Sequence, residues 1–114
     1  MQKEYILCAA NYYNDNKKHT HTPKNIEIGF VICGRRHHNC ISIFVQLTNF
    51  HENNGYTKEA MIIYKTEIQG FLTNTDRFVN RKEAYKIAFE VNQIIGPNKG
   101  YSENSIGLTS EDLY

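Results

Sequence analysis

Two segments of the chain alternate apolar and polar positions with the two-residue period of a β-strand. The apolar positions are Ile26, Ile28, Phe30 and Ile32 in IEIGFVIC, and Ile41, Ile43, Val45 and Leu47 in ISIFVQL. The polar residues GRRHHN, 34–39, lie between the two segments. This arrangement predicts a β-hairpin that carries four basic side chains at its tip.

Two further stretches complete the predicted sheet. YILCAA, residues 5–10, predicts a first strand, and AMIIYKTEIQGFLT, residues 60–73, predicts one long strand. Gly70 would mark a bulge or bend in that long strand. Polar loops are predicted at 14–25 and 48–58, and a turn at 74–76.

The spacing of apolar residues changes after residue 80. The positions with helical spacing are Ala84, Ile87, Ala88, Val91 and Ile95. They predict a helix over about 81–95, with Asn80 as its N-cap and Glu83 completing a capping-box-like signal. Gly96 and Pro97 would stop the helix. Strands followed by a helix predict an α+β fold, an antiparallel sheet with the C-terminal helix packed on one face.

Length and composition limit the classes of protein that the chain can be. Its 114 residues fit a single domain over 1–114, with the sheet at 4–73, the helix at about 81–95 and a tail at 96–114. A net charge of +1 and 40% apolar residues exclude a disordered chain and a general binder of DNA or RNA. No apolar run reaches the roughly 18 residues of a membrane helix, and no secretory-signal pattern is visible. We therefore expect a cytoplasmic protein with reduced cysteines.

The segment CGRRHHNC, Cys33 to Cys40, has the highest density of reactive side chains in the sequence. It contains residue types that bind zinc, but it lacks the CxxC spacing of known zinc modules. Its adjacent histidines should splay apart, and the positive charge of its arginines disfavours a bound cation. A cysteine nucleophile would need an orienting partner that the sequence does not identify, and paired carboxylates are missing. We therefore predict no metal, no cofactor and no catalytic residue.

Two pairs of arginines favour the binding of an anion. Arg35 and Arg36 lie at the predicted hairpin tip beside His37 and His38, and their guanidinium groups match phosphate oxygens. Arg77 and Arg81 flank the predicted helix start, where free backbone N–H groups and the helix dipole attract negative charge. These arginines make more specific sense as anion ligands than as salt-bridge partners. The alternative is that each is a solvated surface residue.

The predicted helix and several aromatic residues extend this candidate site. Arg81, Tyr85, Ala88 and Asn92 would line one stripe of the helix, with Asn92 about 16 Å along the axis from Arg81. Asn92 could equally be a polar residue near the helix end. The aromatic residues near loops that could stack on a base are Tyr12, Tyr13, Phe71 and Phe78. Phe30, Phe44 and Phe89 are interpreted as core.

Four segments together are similar to one known family. They are YILCAA at the start, GFVICGRRHHNC in the predicted hairpin, GFLTNTDRFVNRKEA before the helix and SEDLY at the end. In this order they resemble the phage Thoeris anti-defence proteins of the first type, over nearly the whole chain. RFVxRxEA alone has little specificity.

The resemblance implies a non-enzymatic sponge in the cytoplasm of an infected bacterial cell. Such proteins bind a cyclic ADP-ribose isomer, gcADPR, at a dimer interface, and so keep the immune signal from its effector. Some members also hold cyclic trinucleotides at separate sites in a hexameric assembly, which makes those trinucleotides a second expected ligand. Carried over by motif, Arg77 and Arg81 would hold the pyrophosphate, with neighbouring aromatic rings against the adenine.

Two other functions stay open from the sequence. A small nucleotide-modifying enzyme or phosphodiesterase would use His37 or His38 as acid or base. An interaction module would block another protein through the predicted hairpin tip. The sequence leaves undecided the preferred signal isomer, the size of the oligomer, and whether CGRRHHNC belongs to the ligand pocket, a trinucleotide site or a subunit contact.

Overall fold

The computed structural model describes residues 3–48, 58–95, 107–109 and 113. Over these residues the chain has an α+β fold, as predicted. Its elements are β1 Ile6–Tyr13, β2 Phe30–Gly34, α1 His37–Thr48, α2 Lys58–Tyr64, β3 Ile68–Thr73, β4 Phe78–Asn80 and α3 Arg81–Glu90. The predicted stop at Gly96–Pro97, most of the loop predicted at 48–58 and most of the tail lie outside the described residues.

The described strands form one antiparallel sheet in the order β2-β1-β3-β4. Strand β1 is central, and its residue Asn11 is in register with Ile32 on one side and Gln69 on the other. Side chains alternate between the two faces of a sheet, so Ala9, Asn11 and Tyr13 share one face, and all three are buried. We call this the helix face, and the face that carries Cys8, Ala10 and Tyr12 the opposite face.

Two helices bury the helix face of the sheet. Helix α3 packs Ala84, Tyr85 and Ala88 against a cluster that includes Ala9 and Phe71. Helix α1 packs Cys40 and Phe44 against Tyr13 and Ile32 in a second cluster. The C-terminal helix therefore lies on one face of the sheet, as predicted. Sequence alone did not indicate that α1 would share this face.

The predicted hairpin over residues 26–47 is wrong. Residues 41–47 belong to α1, in which the buried residues His37, Cys40 and Phe44 follow the three- and four-residue spacing of a helix. The Asn39 side chain accepts a hydrogen bond from the Arg36 backbone N–H at 3.0 Å, which fixes the first turn. The predicted strand at 26–33 is also shorter than expected, since β2 begins only at Phe30.

The long strand predicted at 60–73 is also wrong, because two elements share this stretch. Helix α2 ends at Tyr64, where the Thr66 hydroxyl donates a hydrogen bond to the Ile63 carbonyl at 2.5 Å, and strand β3 follows. Gly70 does not mark a bend, since it pairs with both Ala10 and Asn80. A Cβ at Gly70 would overlap the Val79 carbonyl oxygen, so a glycine is required for close approach of the backbones.

The start of α3 agrees with the prediction, but its end does not. The Asn80 side chain accepts a hydrogen bond from the Glu83 backbone N–H at 2.8 Å, which confirms Asn80 as the N-cap. The predicted turn at 74–76 is also confirmed by the bond from Asp76 N–H to Thr73 O. Helix α3 ends at Glu90 rather than at residue 95, because Asn92 adopts a left-handed φ of 61°.

The bonds that follow α3 form a Schellman motif. The Asn92 N–H donates to Phe89 O and the Gln93 N–H donates to Ala88 O. Asparagine takes the position that glycine usually occupies, because its short polar side chain tolerates this conformation. The predicted stripe therefore does not continue to Asn92, because that residue lies beyond the end of α3. Among the described residues, none of the helices is long and apolar enough to cross a membrane.

Candidate ligand-binding site

The two arginines that flank the start of α3 contact different partners. Arg77 follows the turn between β3 and β4, and Arg81 is the first residue of α3. The guanidinium group of Arg77 binds carboxylates, whereas that of Arg81 binds two neutral oxygens. The structure therefore assigns the two arginines to separate polar clusters, although the sequence suggested one site for both.

Arg77 belongs to a cluster that ties the N-terminal segment to the β3–β4 turn. Its Nε and Nη2 donate to the two carboxylate oxygens of Glu4 at 2.8 and 2.7 Å, and Glu83 lies 3.3 Å away. Thr73 and Thr75 also donate to Glu4. The hydrogen bond from Arg77 lowers the pKa of Glu4 to about 2 and raises the pKa of Arg77. In this structure Arg77 is therefore a salt-bridge partner, and its role as an anion ligand stays a prediction.

Arg81 is held in place by neutral groups. Its Nη2 donates a short hydrogen bond to the side-chain oxygen of Gln69, and its Nη1 donates to the Leu108 carbonyl at 3.3 Å. The Leu108 N–H donates in return to Arg81 O at 2.9 Å. Gly107 lies against the Arg81 backbone with a φ of 79°, where a Cβ would overlap the Arg81 side chain. The guanidinium group is therefore oriented, half-buried and bonded to no carboxylate that the structure describes.

A buried polar network lies next to Arg81. Tyr13 Oη donates to Glu67 Oε1 at 2.6 Å, and Gln69 Nε2 donates to Glu67 Oε2 at 3.2 Å. Asn11 Nδ2 lies 3.2 Å from Tyr13 Oη and 3.3 Å from Glu67. Burial, followed by the bond to Glu67, raises the pKa of Tyr13. The network therefore keeps Tyr13 protonated and connects Arg81, through Gln69, to the centre of the sheet.

The sequence did not point to Asn11, Glu67 or Gln69. These residues come from two strands and the segment before β3, and only the pairing of β1 with β3 brings them together. Asn11 is fully buried, and its Oδ1 has no hydrogen-bond partner in the described part of the chain. The one signal in the sequence was Asn11 itself, a polar residue inside the otherwise apolar segment YILCAANYY, where a buried polar group needs hydrogen-bond partners.

The predicted aromatic residues occupy three different environments. Phe71 is fully buried in the core, and Phe78 is only 9% exposed. Tyr12 lies on the opposite face of the sheet, where its hydroxyl donates to the Ile28 carbonyl at 2.7 Å and its ring lies 6.1 Å from that of Phe78. Phe71 therefore cannot stack on a base without leaving the core. Phe89, which was interpreted as core, is instead 55% exposed.

The segment GRRHHN forms the connection from β2 into α1 rather than a hairpin tip. His37 is buried, with its Nε2 2.8 Å from the Gly70 carbonyl and its ring edge-on to Phe71. A carbonyl only accepts hydrogen bonds, so Nε2 carries the proton. Arg35 and His38 are exposed, and Arg36 is half-buried. The two histidines therefore point into different environments, and His37 serves as a structural link between α1 and β3.

The cysteines also lie in different environments. Cys40 is buried, with its Sγ 3.6 Å from Arg36 O, and burial raises its pKa to about 11. Cys8 and Cys33 lie on the opposite face of the sheet. Within the described ranges, no group of three or more His, Cys, Asp or Glu side chains is arranged to hold a metal ion.

A cavity of about 330 Å³ lies between the end of β1 and α2. Its lining residues are Asn14, Asp15, Asn16, Lys17, Ile62 and Ile63. Asp15 also accepts a hydrogen bond from His19 at 2.7 Å. None of the ten binding residues predicted from the sequence lines this cavity. One of these ten, Asn92, is exposed and follows the end of α3.

Comparison with known proteins identifies a family but no individual relative. No curated protein and no solved structure matches the sequence. A family model described as the phage T4 y16D protein matches residues 5–114, which include every element of the fold and the cluster around Arg81. The chain therefore belongs to the phage T4 y16D protein family.

Proposed function

We propose that this phage protein is a non-catalytic sponge for anionic nucleotide signals of the cyclic ADP-ribose type. Its ligand would be gcADPR or a close isomer, and sequestration of that signal would inhibit Thoeris defence in the cytoplasm of an infected bacterial cell. The four-segment resemblance supplies the ligand class, and membership of a phage family supports the setting. Cyclic trinucleotides are a second ligand class within the same proposal.

The observation that carries this proposal is the position of Arg81. Its guanidinium group is bonded to Gln69 and the Leu108 carbonyl, neither of which cancels its charge. It lies at the first position of α3, where the helix dipole adds partial positive charge. An oriented arginine at a helix start can donate several hydrogen bonds to a diphosphate at low entropic cost. Arg77 does not meet this description, because Glu4 and Glu83 neutralise it.

The surroundings of Arg81 support binding without chemistry. Glu67 already accepts hydrogen bonds from Tyr13, Asn11 and Gln69, so its carboxylate is occupied. The Cys40 thiol, with a pKa raised to about 11 by burial, stays protonated near neutral pH and is a poor nucleophile. The side-chain Nε2 of His37 is bonded to Gly70 O, which removes it from acid–base chemistry.

Assembly of the chain into dimers and then a hexamer is part of the proposal. Several large apolar side chains are exposed on the single chain, notably Phe89 at 55% and Ile95 at 66%. Phe89 lies in the last turn of α3 and Ile95 follows the end of that helix, and we infer that the two side chains contribute to one apolar surface. Burial of this surface between copies would give each ligand site a second wall.

The proposal is tested by calorimetry of Arg81→Ala with cyclic ADP-ribose isomers as probes. A lost charge-assisted interaction is worth about 1.5–3 kcal/mol, so Kd should rise about 10- to 160-fold. Arg81→Lys should restore only part of the affinity, because an ammonium group lacks the planar donor geometry. Lys82→Ala is the matched control, since it removes one exposed positive charge from the same helical turn and should leave Kd unchanged.

Recovery of the ligand separates a sponge from an enzyme. After binding, free ligand is removed, the protein is heat-denatured, and the released nucleotide is analysed by mass spectrometry. Unaltered nucleotide at no more than one equivalent per site is the expected result. Turnover to a product, or undiminished affinity of a folded Arg81→Ala variant, would overturn the proposal. Thermal unfolding of each variant shows whether it is folded.

A further inference from the structure

Two cysteines lie close together on the opposite face of the sheet. Cys33 of β2 pairs with Ala10 of β1, and Cys8 lies two residues before Ala10 on the same face. Cys8 and Cys33 are therefore diagonal neighbours on adjacent antiparallel strands. The hydrogen-bonding interaction of the two thiols is the largest influence on the pKa of each of them, in agreement with this neighbouring position.

The shared hydrogen bond makes the two thiols unequal. Donation from the Cys33 thiol lowers the pKa of Cys8, and the same bond raises the pKa of Cys33. Cys8 therefore carries the thiolate when the pair loses its first proton. Thiolates, not thiols, attack disulfide sulfur, so Cys8 is the nucleophile of the pair.

The pair is accessible to a reagent. Cys33 is exposed and Cys8 is half-buried, whereas Cys40 is buried. Helices α1 and α3 pack on the helix face, away from the pair. Neither Cys8 nor Cys33 belongs to the core clusters of buried residues, so movement of their side chains does not require the core to open.

We propose that Cys8 and Cys33 form a dithiol modification site that small disulfides of the glutathione class convert to a cross-strand disulfide. The Cys8 thiolate attacks one sulfur of the reagent, forms a mixed disulfide and releases the first reagent thiolate, which takes up a proton. The Cys33 thiol then loses its proton and attacks the Cys8 sulfur. The Cys8–Cys33 bond forms and the second reagent thiolate leaves, so two protein thiols are oxidised and one reagent disulfide is reduced to two thiols.

The resulting bond would link two strands that are now joined only by hydrogen bonds and packing. Strand β2 leads directly into the Gly34–Arg36 connection and the first turn of α1. A covalent link at Cys33 therefore restrains the start of α1 as well as the edge strand. The modification is independent of the nucleotide proposal, because Arg81 and its partners lie on the helix face.

The test uses the full-length wild-type protein with oxidised glutathione at neutral pH. After acid quenching and denaturation, free thiols are alkylated, and the protein is analysed by intact mass and by peptide mapping. The expected product has lost two hydrogens, carries a single alkyl group on Cys40, and yields a linked peptide that contains Cys8 and Cys33. A chain with three alkylated cysteines, or a disulfide that includes Cys40, would overturn the proposal.

Single variants test the assigned roles. Cys33→Ser should accumulate a stable glutathione adduct on Cys8, because the resolving thiol is missing. Cys8→Ser should react about ten-fold more slowly, because the thiol with the lowered pKa is missing and the pKa of Cys33 only returns towards its ordinary value. Cys40→Ser is the matched control and should form the Cys8–Cys33 bond at the wild-type rate. Equal rates for Cys8→Ser and wild type would contradict the assignment of Cys8 as nucleophile.

Discussion

Arg77 and Arg81 show how surroundings decide what an arginine does. They lie four positions apart, and both flank the N-cap Asn80. Arg77 meets Glu4, a residue 73 positions away in sequence, and becomes part of an ion pair. Arg81 meets Gln69 and the Leu108 carbonyl and keeps its charge. Sequence spacing predicted that both would lie beside the helix start, but it could not indicate which one had a carboxylate partner.

The Glu4–Arg77 pair predicts a specific dependence of stability on acid. The pKa of Glu4 is lowered from 4.5 to about 2, chiefly by the hydrogen bond from Arg77, so ionised Glu4 stabilises the fold. That stabilisation is complete above pH 4.5 and is lost as the pH falls towards 2. Glu4→Gln should lower the free energy of unfolding by about 1 kcal/mol at pH 7, the scale of a partly exposed ion pair. The measurement is urea denaturation from pH 2 to 7.

The difference between wild type and Glu4→Gln should narrow as the pH falls from 4.5. Glu27→Gln is a suitable control, since Glu27 is an exposed carboxylate outside this cluster. It should unfold like wild type across the whole range. A stability difference for Glu4→Gln that stays constant from pH 7 down to pH 2 would refute the assigned role of the ion pair.

Helices and strands were predicted well where local signals decide their boundaries. The start of α3 was correct because Asn80 and Glu83 form a cap within one turn, and the turn at 74–76 was also correct. Helix α1 was missed because ISIFVQL has β-branched residues in alternation, which matches a strand as well as a helix. The buried spacing of His37, Cys40 and Phe44 was present, but His37 was interpreted as part of an anion-binding loop rather than as core.

The N-cap of α3 gives a prediction for the stability of that helix. Asn80→Ala should lower the free energy of unfolding by about 1 kcal/mol, because the Glu83 N–H loses its acceptor. Asn80→Ser should retain most of the stability, since a serine oxygen can accept the same bond. Both are measured by thermal or urea unfolding. An alanine variant as stable as wild type would show that the cap contributes nothing.

The arrangement of the whole sheet explains why part of the candidate site was not predictable. The order β2-β1-β3-β4 places Asn11 between Ile32 and Gln69, and no local pattern specifies that neighbourhood. The fold class and the position of α3 were predicted because segments with the apolar spacing of strands are followed along the chain by a segment with the apolar spacing of a helix. The network of Asn11, Glu67 and Gln69 depends on long-range pairing, so it became visible only with the tertiary structure.

The exposed end of α3 gives a prediction for assembly. Phe89→Ser should shift the oligomer to a smaller species, because it removes the largest apolar side chain of the proposed contact. Lys82→Ser changes another exposed residue of α3 to the same side chain and should leave the assembly unchanged. Light scattering after gel filtration measures both. A monomeric wild type, or a Phe89→Ser protein of unchanged mass, would contradict assembly through this surface.

The central position of β1 affects how the chain is made. Strand β1 ends at Tyr13, yet β3, one of its two neighbours, begins only at Ile68. The 54 residues between these two strands must therefore be synthesised before the middle of the sheet can close. Pairing between such distant segments slows folding and leaves apolar strands uncovered during synthesis. This protein should consequently depend on chaperones, or on slow translation, more than a helical bundle of the same length.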